Sequence, residues 1–258
     1  MPSNNLWDFI GISDDPCYKW VLSEFAVLAA LNLVSLVVGN SNLSVLKATH
    51  SQWWGSVTSI GLYDSWESTV VLPILPFLWL FLNSRIRSEE RRNRSLFFMI
   101  GSIVAAILAN YVWEISPSQY HFSFGVSGFD VAAGGIILSF SVLNLISALK
   151  PINVLDAPQP KPTDKHAMKW FLILIYLVLI ALMIAVPVTL ITAADPTINT
   201  QVHVDSLLFS VGSTMIFEGL IVMGRLRRIP NDAERVPSMS GVESEHVPGL
   251  WALVQIHT

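Results

Sequence analysis

Long runs of apolar side chains, parted by short polar links, limit what this chain can become. They cover about 20–39, 68–83, 96–114, 125–149, 169–194 and 204–224. A helix needs roughly 20 apolar residues to cross the hydrocarbon core of a bilayer. Inside that core each backbone N–H and C=O must find a partner within the protein. Composition points the same way: the chain is 52% hydrophobic and only 13% charged, with a mean hydropathy of +0.55, where an ordinary soluble domain carries about 25% charged residues. The predicted fold is all-α, a polytopic membrane protein of six transmembrane helices.

The second run is the weakest of the six. It carries Pro73 and Pro76 and follows Asp64 and Glu67. Its length covers only about 24 Å at 1.5 Å per residue, slightly less than a hydrocarbon core. Charge placement argues for it independently. Arg85, Arg87, Arg91, Arg92 and Arg94 crowd the link that follows it, Lys150, Lys161 and Lys165 lie between the fourth and fifth runs, and Arg225, Arg227 and Arg228 follow the sixth. The alternate links are nearly free of basic residues; 40–67 has Lys47, and 115–124 and 195–203 have none. With six spans every basic link falls on one side, as the positive-inside rule requires. Both termini are then expected in the cytoplasm of a multi-pass cell-membrane protein. Met1 to Lys19 is acidic and mixed and no small-residue cleavage site follows the first run, so that run is expected to act as its own insertion signal.

The expected organisation is a cytoplasmic tail at 1–19, a membrane domain at 20–228 and a mobile cytoplasmic tail at 229–258. Pro151, Pro158, Pro160 and Pro162 predict an extended connector over 151–167. The basic clusters are explained by topology and the net charge is −4, so nothing points to nucleic acid. Cys17 is the single cysteine. It permits no disulfide within the chain, and no cysteine cluster is present to hold a metal.

The polar residues inside the runs carry the functional signal. The fourth run opens Gly125-Val126-Ser127-Gly128, and the sixth opens directly after His203. Both begin at the outer face in this topology, so a hydroxyl and an imidazole share one depth. A nucleophile and its base require that juxtaposition. Gly128, Ala132 and Gly135 form one small face on the fourth helix, while Ser206, Ser210 and Thr214 form another on the sixth. Small faces let membrane helices approach closely, and their packing is expected to bring Ser127 and His203 within hydrogen-bonding distance. Asp205 is two residues from His203 and faces another way on a helix.

The arrangement of six spans, GxSG opening the fourth and a histidine opening the sixth resembles the rhomboid intramembrane serine proteases. The stretch Trp54 to Phe81 is similar to that family's first loop and second span, notably Ser65-Trp66-Glu67 and Leu78-Trp79-Leu80-Phe81. The resemblance implies a rhomboid-like bundle and a serine endopeptidase with Ser127 as nucleophile and His203 as general base. It implies transmembrane proteins as substrates, the lipid bilayer as surroundings, and no metal or organic cofactor. Rhomboids also carry a histidine and, four residues later, an asparagine early in the second span; Ser68 and Leu72 stand there. Leucine cannot donate a hydrogen bond. The Ser68 hydroxyl and the Ser127 backbone N–H are therefore the expected oxyanion donors. The family's aromatic residue four after the serine is Val131 here, and the glycine three after the histidine is Ser206.

Two other functions fit the residues. Ser68 and Leu72 suit a rhomboid-fold pseudoprotease that holds membrane clients without cutting them. Asp130 and Glu218 would suit a transporter or channel with a polar path, since acids inside a membrane invite a functional reading.

Overall fold

The computed structural model describes residues 16–39, 42, 48–49, 54–63, 66–84, 86, 88–115, 122–123, 125–149, 162–192 and 200–227. Residues 1–15 of the N-terminal tail, the C-terminal tail at 229–258, most of the proline-rich connector, Trp53, Ser65, Arg85, Arg87 and Arg228 lie outside the described residues, while Tyr18 and Lys19, expected in the tail, already belong to the first helix. Apart from a two-residue antiparallel pair, β1 (Ala48–Thr49) with β2 (Phe122–Ser123), the described elements are helical. They are α1 (Tyr18–Val38), α2 (Gly55–Thr58) running into a 3₁₀ turn at Ser59–Gly61, α3 (Trp66–Val71), α4 (Leu75–Asn83), α5 (Ser88–Ile115), α6 (Ser127–Leu149), α7 (Pro162–Thr192) and α8 (Thr200–Arg227).

Among the described residues, four segments are long and apolar enough to cross a membrane: Tyr18–Val38, Glu90–Trp113, Ser127–Leu149 and Gln201–Gly224. Lys169–Ala185, within α7, is apolar but shorter. The second run is not one continuous helix. It breaks between α3 and α4 at Leu72–Ile74, because Pro73 has no N–H to continue the ladder and its ring clashes with the preceding turn. Pro76 then sits in the first turn of α4, where a missing N–H costs nothing. Two other boundaries differ from expectation. Helix α5 begins at Ser88, well before the apolar run. Helix α7 begins at Pro162, so 162–167 is helical and not extended; proline's fixed φ suits the first helical position.

Helix α6 is the centre of the bundle. It packs against α5, α7 and α8, while α7 and α8 barely touch each other. Ser127 through Ile137 are all buried. Around the α6 residues Phe129, Ile136 and Phe140, Phe25 of α1, Trp79 of α4 and Phe98 of α5 close the core. The Trp79 and Phe98 rings stack at 4.4 Å between centroids, and Trp79 meets Phe140 edge-on at 5.3 Å. The Trp79 indole N–H donates to Ser95 Oγ at 3.0 Å, and Asn83 Nδ2 donates to the same oxygen at 2.8 Å. Hydroxyls along the helices return their protons to their own backbone: Ser139 to Gly135 O at 2.8 Å, Ser141 to Ile137 O at 2.7 Å and Thr214 to Ser210 O at 2.7 Å. Small polar side chains of this kind line the interface with their donors met; the buried hydroxyl of Ser206 differs in having no partner among the described residues.

At the end of α6 away from Ser127, Arg94 ties three helices. Its guanidinium lies 3.0 Å from Glu90 and 3.1 Å from Glu218 of α8, donates to Asn144 Oδ1 of α6 at 3.4 Å, and stands 4.7 Å from the Phe140 ring centre.

Candidate active site

Ser127 is the first residue of α6, and His203 lies in the first turn of α8. Their side chains meet there: Ser127 Oγ and His203 Nε2 are 2.6 Å apart, and each residue is only 4% exposed. Two helices that start at the same end and cross on small faces dictate this meeting. Gly128 lies against Val202 and Ser206, and Gly135 against Ser210 and Leu207. Ala132, Ser206, Ser210 and Thr214 are fully buried. At Gly135 the approach is so close that a Cβ would stand 2.0 Å from Ser210 Oγ. A larger residue there would hold α8 away from α6.

The turn before the serine is equally specific. Gly125 has φ 123°, a conformation open to glycine and strained for L side chains. It lets the chain turn sharply into α6. The two N–H groups before Ser127 are then held by the segment after α2: Gly125 N–H donates to Ser59 O at 3.1 Å and Val126 N–H to Leu62 O at 2.8 Å. That segment is held to α5, since Asn110 Nδ2 donates to Ser56 O at 3.4 Å and to Ser59 Oγ at 3.3 Å. These ties carry no motif in the sequence, because the acceptors are mostly backbone carbonyls.

Among the described residues no third carboxylate completes the pair. Asp205 hydrogen-bonds the Gln201 side chain on its own helix. The buried Nδ1 of His203 has no hydrogen-bond partner among the described residues. Nε2 can accept the serine proton only if the neutral ring carries its own proton on Nδ1. The arrangement is therefore a dyad, able to deprotonate a hydroxyl as it attacks an electrophile.

Ser68 is fully buried in α3, a segment that packs on α6, and its carbonyl accepts from Leu72 N–H at 2.9 Å. Leu72 and Val131 are also buried. The two acids within the long apolar helices are far apart along the bundle. Asp130 lies one turn below Ser127 and is fully buried, whereas Glu218 pairs with Arg94 about 22 Å along α8 from His203. The pairing of Glu218 escaped the sequence reading. Glu90 and Arg94 stand at helical i,i+4 spacing, but nothing marks the much more distant Glu218 as their neighbour.

Comparison of the chain with protein-family models, with curated proteins and with solved structures gives no match. The resemblance to rhomboids rests on the residues and motifs themselves.

Proposed function

We propose that this chain is a rhomboid-like intramembrane serine protease that cuts peptide bonds in or beside the transmembrane segments of other membrane proteins. The observation that carries this reading is the contact of 2.6 Å between Ser127 Oγ and His203 Nε2, buried at one end of a bundle whose helices could span a bilayer. In this account the six apolar runs all cross the membrane, with α3 and α4 together as the second span. The termini are cytoplasmic and the dyad faces the outer side. The arginine and lysine links support that orientation.

In the proposed reaction Ser127 Oγ attacks the scissile carbonyl carbon while His203 Nε2 takes the hydroxyl proton. The negative charge moves to the carbonyl oxygen, where the Ser127 backbone N–H and the Ser68 hydroxyl are the candidate donors. The imidazolium gives its proton to the departing amine as the C–N bond breaks, leaving an ester on Ser127. Water, deprotonated by the same imidazole, then releases the acid and regenerates the serine. Glu218, paired with Arg94 at the far end of the bundle, lies well away from Asp130, one turn below Ser127, which counts against a transporter or channel.

One observation favours a second reading. Leu72 is fully buried where the resemblance calls for an asparagine, and a lost oxyanion donor costs about 10²–10³ in rate in soluble proteases. A pseudoprotease that binds transmembrane clients would tolerate that loss. Labelling with a fluorophosphonate in liposomes separates the two. The protease reading expects label on Ser127 of the wild type and none on His203→Ala. An unlabelled wild type that still captures a transmembrane client would favour the pseudoprotease.

A further inference from the structure

The peptide group joining Leu62 to Tyr63 is hydrogen-bonded at both ends. Its carbonyl accepts from Val126 N–H, the residue before Ser127, at 2.8 Å. Its N–H donates to the hydroxyl of Ser35, near the end of α1. Ser35 is 1% exposed. A peptide unit is planar and resists twisting, so the two bonds are coupled through one rigid plate. A turn of the plate that breaks the Ser35 contact also re-aims the carbonyl that holds Val126. The neighbouring tie, Gly125 N–H to Ser59 O at 3.1 Å, fixes the entry to α6 from the same segment but does not reach α1.

We infer that Ser35 is a positioning residue for Ser127: its hydroxyl sets the Leu62–Tyr63 peptide plane, and that plane sets the first turn of α6 and the direction of Oγ toward His203. The inference rests on the reading of Ser127 as nucleophile. It gives α1, which contributes no side chain to the dyad, a direct mechanical link to it. A bond worth little to overall stability can matter greatly here, because a misplacement of about 1 Å in a reacting group can cost on the order of 10²-fold in rate.

Two readouts test this on the full-length protein in nanodiscs: the rate of fluorophosphonate labelling at Ser127, and hydrogen exchange of the Val126 amide resolved by fragmentation mass spectrometry. The variants are Ser35→Ala, which removes the acceptor, Ser35→Thr, which keeps it, and Ser102→Ala. Ser102 is a buried hydroxyl on α5 that, among the described residues, bonds only its own helix, to Phe98 O at 2.7 Å and Met99 O at 3.1 Å, so its loss reports a purely structural cost. Ser35→Ala should label roughly ten- to a hundredfold more slowly and exchange Val126 at least about tenfold faster. Ser35→Thr and Ser102→Ala should stay within about twofold of wild type in both. The inference is overturned if Ser35→Ala exchanges Val126 at the wild-type rate, if Ser35→Thr is as impaired as Ser35→Ala, or if Ser102→Ala is equally impaired. If the wild type takes no label, the protease reading fails, and amide exchange alone decides whether Ser35 positions the start of α6.

Discussion

Replacing Gly135 by alanine should impair the dyad from about 12 Å away, eight residues along α6. A Cβ at this position would stand 2.0 Å from Ser210 Oγ, 3.1 Å from Leu207 Cδ1 and 3.2 Å from Ser210 Cβ, where carbon contacts are comfortable at about 3.5 Å or more. Swinging the hydroxyl aside would forfeit its bond to Leu207 O at 2.8 Å, about 0.5–1.5 kcal/mol, and would leave the short contact to Ser210 Cβ unrelieved. Helix α8 must therefore retreat. The contacts at 3.1 and 3.2 Å call for about 0.3–0.4 Å of relief, and the same shift at His203 would lengthen the 2.6 Å pair to about 3.0 Å, a weaker and less well-aimed hydrogen bond. The expected result is a loss of about 1–3 kcal/mol from overpacking, despite the gain of up to about 1 kcal/mol in helix propensity, with labelling of Ser127 slowed by up to about tenfold, less than the roughly 10²-fold of a 1 Å misplacement. Gly134→Ala is the control, because its new methyl would meet only Met183 Sδ at 3.6 Å; it should be neutral or slightly stabilising. Adding Ser210→Gly to Gly135→Ala should restore much of the labelling. Thermal unfolding in detergent and the labelling rate are the assays. Wild-type labelling and an unchanged Tm in Gly135→Ala, or equal damage from Gly134→Ala, would refute the close-packing argument.

Three further outcomes are expected. Gly125→Ala forces a non-glycine residue to φ 123° and should cost about 1–3 kcal/mol while lowering labelling; an unchanged Tm would mean that the turn relaxes freely. Glu218→Gln removes one partner of a mostly buried arginine and should destabilise by on the order of 2 kcal/mol, less than the 3–5 of a fully buried pair, because Glu90 still faces Arg94. Combining it with Arg94→Met should cost less than the sum of the two single variants, although Glu90 then loses its partner, and strict additivity would show that Arg94 and Glu218 are not coupled. Reporter fusions after Pro160 and at Thr258 should read cytoplasmic, and those at Asn42 or Asp195 external; a cytoplasmic reading at Asp195 would remove the dyad from the outer face.

Apolar length and polar spacing made the long helices and the pairing of Ser127 with His203 legible, because both follow from helical periodicity and from where each run starts. The small faces at Gly128, Ala132 and Gly135 and at Ser206 and Ser210 were legible for the same reason. Helix ends were less so. The start of α5 at Ser88 and of α7 at Pro162 extend beyond the apolar runs, and hydropathy does not register a helix that leaves the apolar layer. The break after Val71 was half-visible in Pro73 and Pro76, which shortened the expected span without showing that it would split. The clamp on the start of α6 was invisible. Its acceptors at Ser59 and Leu62 are main-chain carbonyls, which every residue carries, and only the folded path of the segment brings them to Gly125 and Val126. The link from Ser35 to Tyr63 shares that character, since a serine near a helix end looks like any other.

The central claim is that Ser127, activated by His203, cuts peptide bonds within the membrane. The most direct measurement incubates purified protein in liposomes with a single-span model substrate and maps any cut by mass spectrometry. The wild type should cleave in or beside the span, while Ser127→Ala, His203→Ala and the double variant should be equally inert, since residues acting as one unit are not additive. Cleavage that survives Ser127→Ala, or a wild type that binds the substrate and leaves it intact, would contradict the account.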